Sequence, residues 1–169
     1  MTGPRREVQL RRPLVAAMWT VAGPSVHIGL PWALSLLSSR HGWTESCPGA
    51  GNVLGLVPVV GGLACVAWCL ALHFVRAPRG WTLEATPHYL VDVGPYRFSR
   101  NPMYVAALAI WFGWALFYGS VAVLVGACVL GAVVVLVVVP FEERRLEARF
   151  GDAYVRYRRR VPRWLGRRS

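Results

Sequence analysis

The sequence predicts an all-α integral membrane protein, with about four transmembrane helices and a C-terminal amphipathic helix at the membrane interface. Three observations predict it. The 169 residues are 55% hydrophobic and only 16% charged, whereas soluble domains carry about a quarter charged residues. The apolar residues gather into four blocks, roughly 13–37, 52–75, 103–119 and 121–140. All 19 basic residues are arginine, and they flank those blocks instead of interrupting them.

Crossing the hydrocarbon takes about 20 apolar residues at about 1.5 Å of rise each, so the third block sits near the lower limit. A helix of a soluble bundle shows a polar face every turn. The stretches GLACVAWCLALHFV and VAVLVGACVLGAVVVLVVV have none. The first block is longer than a signal-peptide core and three more follow it, so it reads as a retained span. Pro24 and Pro31 in that span, and Pro58 in the second, are expected to kink their helices, which membrane helices tolerate when neighbours satisfy the freed carbonyls.

The arginines orient the spans. Arg5, Arg6, Arg11 and Arg12 precede the first, Arg40 alone lies between the first and second, and Arg76, Arg79, Arg97 and Arg100 follow the second. The FYGS turn between spans three and four carries no charge, and the other ten arginines come after span four. Positive charge stays on the cytoplasmic side, which places both termini inside a cell inner or plasma membrane and residues 38–51 outside. The net charge of +11 suits the anionic surface of a bilayer leaflet. Arginines that flank spans do not form one exposed helix face, so no nucleic-acid partner is expected. Cys65, Cys69 and Cys128 lie in spans as packing residues, Cys47 lies in the outer loop, and no metal-ligand spacing occurs. The chain reads as a single membrane domain over 1–169, with a two-helix N-terminal part at 1–75.

Polar chemistry collects in two segments. Residues 76–104, RAPRGWTLEATPHYLVDVGPYRFSRNPMY, enter the third span, and residues 141–164, FEERRLEARFGDAYVRYRRRVPRW, leave the fourth. Spans three and four form a tight antiparallel hairpin, so both segments return to one membrane face and can wall a pocket for a water-soluble cofactor. In the second segment Leu146, Phe150, Tyr154, Tyr157 and Val161 recur every three or four residues with arginines between them. That is the pattern of a helix lying on the membrane surface, and Gly151 marks a place for a bend. Glu142 and Glu143 follow an apolar span directly, where an unpaired carboxylate is costly. They either pair with Arg144, Arg145 or Arg149, or hold a cationic ligand group; spacing alone leaves both open. His27 and His73 are the ionisable residues nearest the membrane interior, and a hydrogen-bonded packing role is the plainer reading of each.

The two segments together resemble the isoprenylcysteine carboxyl methyltransferase and phospholipid methyltransferase superfamily. Its pattern G-x-Y-x-x-x-R-[HN]-P-x-Y is met by Gly94, Tyr96, Arg100, Asn101, Pro102 and Tyr104. Its second pattern, E-E-x-x-L-x-x-x-F-G-x-x-Y-x-x-Y, is met by Glu142, Glu143, Leu146, Phe150, Gly151, Tyr154 and Tyr157. The resemblance implies a methyltransferase core at 76–164 that uses S-adenosylmethionine and acts on a lipophilic or lipidated acceptor drawn from the bilayer. It implies cofactor contacts from His88, Tyr89, Leu90 and Val91, from Tyr96, from Arg100 and the helix start Asn101, Pro102, Met103 and Tyr104, and from Glu142 with Glu143 beside it. No protein nucleophile is expected. Two departures bear on the acceptor. Asn101 stands where many carboxyl methyltransferases of the family have histidine, and asparagine cannot carry a proton. Val138 stands where the eukaryotic-type enzymes place a substrate-binding arginine. A prenylcysteine carboxylate, a phospholipid amine and a small thiol are the acceptors considered; a non-catalytic membrane binding protein of the same fold is the alternative from another class.

Overall fold

The structure is a computed structural model, and it describes residues 22–76 and 90–166. Its framework is helical. The first helix runs through a π-helical turn at Ser25–Gly29 into α1 (Leu30–Ser35). A short hairpin of β1 (Trp43–Thr44) and β2 (Cys47–Pro48) follows, then the single turn α2 (Ala50–Val53) and the long α3 (Leu56–Arg76). A 3₁₀ turn at Gly94–Arg97 leads to α4 (Pro102–Tyr118). The chain then turns into α5 (Val121–Val133), passes a second π-helical turn at Val134–Val138, and continues as α6 (Val139–Phe150) and α7 (Asp152–Arg160).

Two helical stretches, Ala50–His73 and Val121–Phe150, are long and apolar enough to cross a membrane, and Pro102–Tyr118 is apolar but shorter. Their large side chains point outward, Val57 at 70% and Leu136 at 72% exposure. Such a surface suits lipid and would be an aggregation hazard in water. This is the all-α membrane fold expected. The small hairpin in the 38–51 loop was not foreseen: Glu45 and Ser46 both take positive φ (47° and 68°), the backbone that closes a two-residue hairpin. Residues 13–21 of the first apolar block lie outside the described residues.

Prolines shape the spans through the ladder bonds they lack. Ahead of Pro31 and of Pro140 the helix widens: Leu30 N–H reaches back to Ser25 O, and Val139 N–H to Val134 O. A proline has no N–H to continue the ordinary pattern, and a π turn absorbs the mismatch. Pro58 sits in the first turn of α3, where the missing N–H costs no ladder bond, so α3 begins there and needs no kink.

Three antiparallel helices, α3, α4 and α5, make the body. α4 ends at Gly119, which takes the left-handed conformation (φ 57°), and Ser120 caps α5 by accepting from Val123 N–H at 3.3 Å. The loop before α3 is stitched onto this turn. Trp43 Nε1 donates to Phe117 O (2.9 Å), and Asn52 Nδ2 donates to both His41 O and Leu116 O (3.0 Å each). Arg40 lies over the rings of Trp43 and Tyr118. The other end of the same body carries the C-terminus of α3, the start of α4 and the end of α5 with α6. That end holds the polar residues.

Candidate functional site

The site grows from the start of α4. Pro102 occupies the first helical position, so the helix begins without needing that N–H. Asn101 makes no side-chain capping bond to the helix, and its backbone carbonyl accepts from Tyr104 N–H and Val105 N–H at 3.1 Å each. Just upstream, the 3₁₀ turn aims Tyr96 inward, where its hydroxyl shares a 2.9 Å hydrogen bond with His73 Nε2 from α3. Tyr157 of α7 donates to Tyr96 O at 2.8 Å. Burial pushes the phenols of Tyr96 and Tyr157 well above their ordinary range, so both remain protonated at any physiological pH.

A cavity of about 240 Å³ lies between Met103 and Tyr104 on one side and Tyr96, His73 and Glu142 on the others. A smaller lobe of about 70 Å³ continues toward Leu90, Val91, Leu146 and the tyrosines of α7. Both lobes share His73, Tyr96, Arg100, Asn101 and Glu142. The polar segments before α4 and after α5 therefore face one another, and α3 supplies a third wall.

Adjacent glutamates on α6 have different surroundings. Glu142 accepts from the Tyr104 hydroxyl at 2.9 Å and lines both lobes with no arginine in ion-pair contact among the described residues. Glu143 is buried, with its side chain 9% exposed, between Arg100 Nη1 at 2.7 Å and Arg163 Nη2 at 2.6 Å. Successive helical residues point about 100° apart, so one carboxylate faces the cavity and the other faces the arginines. The partners of Glu143 come from Ser99–Asn101 and from beyond α7. Arg144 and Arg145 beside it are exposed, and Arg145 covers the Phe141 ring.

Arg100 also donates to Tyr154 Oη at 3.3 Å, and its side chain is 5% exposed. Its Nε is buried with no hydrogen-bond partner among the described residues. A buried donor left unpaired costs about 1–3 kcal/mol.

Residues 51–153 match the family described as phospholipid methyltransferase. The chain belongs to that family. An uncharacterised protein of Haemophilus influenzae (strain ATCC 51907 / DSM 11121 / KW20 / Rd) is 36% identical over 63 residues, which is 37% of this chain and all of that protein. No solved structure matches. This phospholipid methyltransferase relative is an apolar helical membrane protein with its polar cavity at one end of the bundle.

Of the residues singled out in the sequence, Leu90, Val91, Tyr96, Arg100, Asn101, Pro102, Met103, Tyr104 and Glu142 line one or both lobes. Glu143 does not; it is engaged with the two arginines. His88 and Tyr89 lie outside the described residues. His73, read from the sequence as packing, stands in the wall of the site, and its i+4 spacing from buried Cys69 is the signal that placed it on an inward face. His27 lies elsewhere, its backbone carbonyl accepting from Trp114 Nε1 at 2.7 Å.

Proposed function

We propose that the protein is an integral membrane methyltransferase that takes its methyl group from S-adenosylmethionine and delivers it to a lipophilic acceptor. The observation that carries this reading is the division of labour between Glu142 and Glu143. One carboxylate is neutralised by arginines, and the next stands in the cavity held only by a tyrosine hydroxyl. A cavity lined by one such carboxylate, by Arg100 and by the start of a helix suits a zwitterionic amino-acid group. Those donors and acceptors fit the amino-acid end of the cofactor.

When bound, S-adenosylmethionine supplies a methyl group on a sulfonium centre. Glu142 would hold the cofactor's cationic amine, with Tyr104 keeping the Glu142 carboxylate oriented. Arg100 would hold the cofactor's carboxylate. Tyr96 and Tyr157, which stay protonated, would line the pocket around it. Transfer is an in-line displacement, so the residues mainly align the partners and exclude water. Leu90, Val91 and Leu146 supply the apolar lining that excludes it.

The favoured acceptor is a lipophilic carboxylate of isoprenylcysteine type, reached from the bilayer. A bilayer lipid amine is the second reading, supported by two features. Val138 offers no charge to a substrate carboxylate. An ammonium acceptor must first lose a proton, and His73, hydrogen-bonded to Tyr96 in the cavity wall, can receive it. In either case the cavity opens to the cytoplasm, with four spans and both termini on that side. Calorimetry on detergent-purified protein tests the core of the proposal. Binding of S-adenosylmethionine and of its demethylated product with roughly micromolar Kd, about 8 kcal/mol, is the expected result. Absence of heat and of a thermal shift with both ligands would overturn it. Incubation with methyl-labelled cofactor and total membrane lipid then identifies the acceptor.

A further inference from the structure

The chain beyond α7 folds back on the start of α4. Val161 is buried against Tyr154 and Tyr157, which turns the next residues toward the cavity floor. Pro162 O accepts from Arg100 N–H at 2.9 Å. Arg163 O accepts twice, from Asn101 Nδ2 at 3.0 Å and from Ser99 Oγ at 3.2 Å. Ser99 Oγ in turn accepts from Asn101 N–H at 3.0 Å. The Arg163 side chain then crosses to Glu143, with Nε at 3.2 Å and Nη2 at 2.6 Å from its two oxygens. Two consecutive carbonyls and one guanidinium thus engage every residue of Ser99–Asn101, directly or through Glu143. Residues 161–163 lie past residue 153, where the family match ends, while Ser99, Arg100, Asn101 and Glu143 lie within it.

We propose that residues 161–163 are a clasp that fixes the Arg100–Asn101 turn for cofactor binding, with Arg163 as its positioning residue. The inference rests on the cofactor reading above. Arg163 touches neither lobe of the cavity; it acts through Glu143. With both carboxylate oxygens occupied, Glu143 holds Arg100 in one rotamer and one position in the cavity lining. Without Arg163, Glu143 is free to rotate and to draw Arg100 with it. Only the backbone carbonyls of Pro162 and Arg163 then remain to hold the turn from this side. Because the Arg163 side chain is 44% exposed, its removal leaves little buried surface unfilled, so folding is separable from positioning.

The test uses the full chain in detergent and the demethylated product of S-adenosylmethionine as the probe. Arg163→Gln should weaken binding by roughly tenfold, the loss expected of one charge-assisted hydrogen-bond partner, while the melting temperature without ligand stays near that of the wild type. Arg163→Lys, which keeps a cation opposite Glu143, should recover most of the affinity. Arg159→Gln, exposed on α7, should bind as the wild type does. Hydrogen exchange at the Arg100 amide should accelerate in Arg163→Gln without any ligand present. A wild type that binds while Arg163→Gln binds equally well overturns the clasp and leaves the cofactor reading intact. So does weakened binding that merely follows a lowered melting temperature and is not recovered by lysine. A wild type that binds neither ligand overturns both.

Discussion

Glu142 and Glu143 are chemically identical and adjacent, yet the helix sends them to opposite fates. Spacing alone allowed either glutamate to pair with arginine or to meet a ligand. Only the third dimension divides them, because the deciding partners Arg100 and Arg163 are distant in sequence. A pattern of local spacing leaves no trace of such a pairing. Glu142→Gln should therefore lower affinity for S-adenosylmethionine by roughly ten- to a hundredfold, through loss of a charge-assisted bond. Its melting temperature should hardly change, and titration calorimetry beside a thermal scan reads both. Glu143→Gln should do the reverse in kind. It leaves two buried or half-buried guanidinium groups facing a neutral amide, and breaking such a buried pair costs about 3–5 kcal/mol. A thermal scan showing Glu143→Gln as stable as the wild type would contradict the structural role given to that residue.

At the scale of elements, the apolar blocks and the three- and four-residue recurrence through Leu146, Phe150, Tyr154 and Tyr157 were legible, since both are local periodicities. What periodicity does not reveal is that this recurrence is carried by two helices instead of one. Gly151 takes φ 50° and ψ −127°, a region that side-chain-bearing residues avoid. The break swings α7 so that Tyr154 and Tyr157 turn into the bundle, 1% and 3% exposed, and the segment serves the site as well as the membrane surface. Gly151→Ala has open space around the added methyl, so its cost is conformational alone. About 1–3 kcal/mol of stability should be lost, visible as a lowered melting temperature. If alanine at 151 leaves melting unchanged, the break between α6 and α7 is not set by this residue.

For the whole molecule, the proposed orientation rests on the distribution of arginine, and composition alone made the membrane fold readable. Long-range closure was harder: the pinning of the 38–51 loop to the α4–α5 turn rests on single polar residues such as Asn52 and Trp43. No repeat or spacing announces them. Orientation is testable with a reagent that cannot cross membranes. Cys47, exposed on the loop hairpin, should react in intact cells, and a cysteine placed at Asp152 should react only after permeabilisation. Labelling of the Asp152→Cys protein in intact cells would reverse the topology.

The polar stitching at the far end has a mechanical consequence. Asn52, Trp43 and Ser38 bind the loop to the α4–α5 turn through four side-chain hydrogen bonds, counting the 2.7 Å link from Ser38 to Ser120 and the weaker one from Ser38 to Ala122 N–H. The helices are thus sprung together like a clothes-peg at the end remote from the chemistry, with the jaws at the cavity. α4 is a lever of roughly 25 Å at about 1.5 Å per residue, so a splay of about 5° at the spring parts the jaws by about 2 Å. On the proposed function, such a splay would widen a side entrance for a lipophilic acceptor without the bundle coming undone.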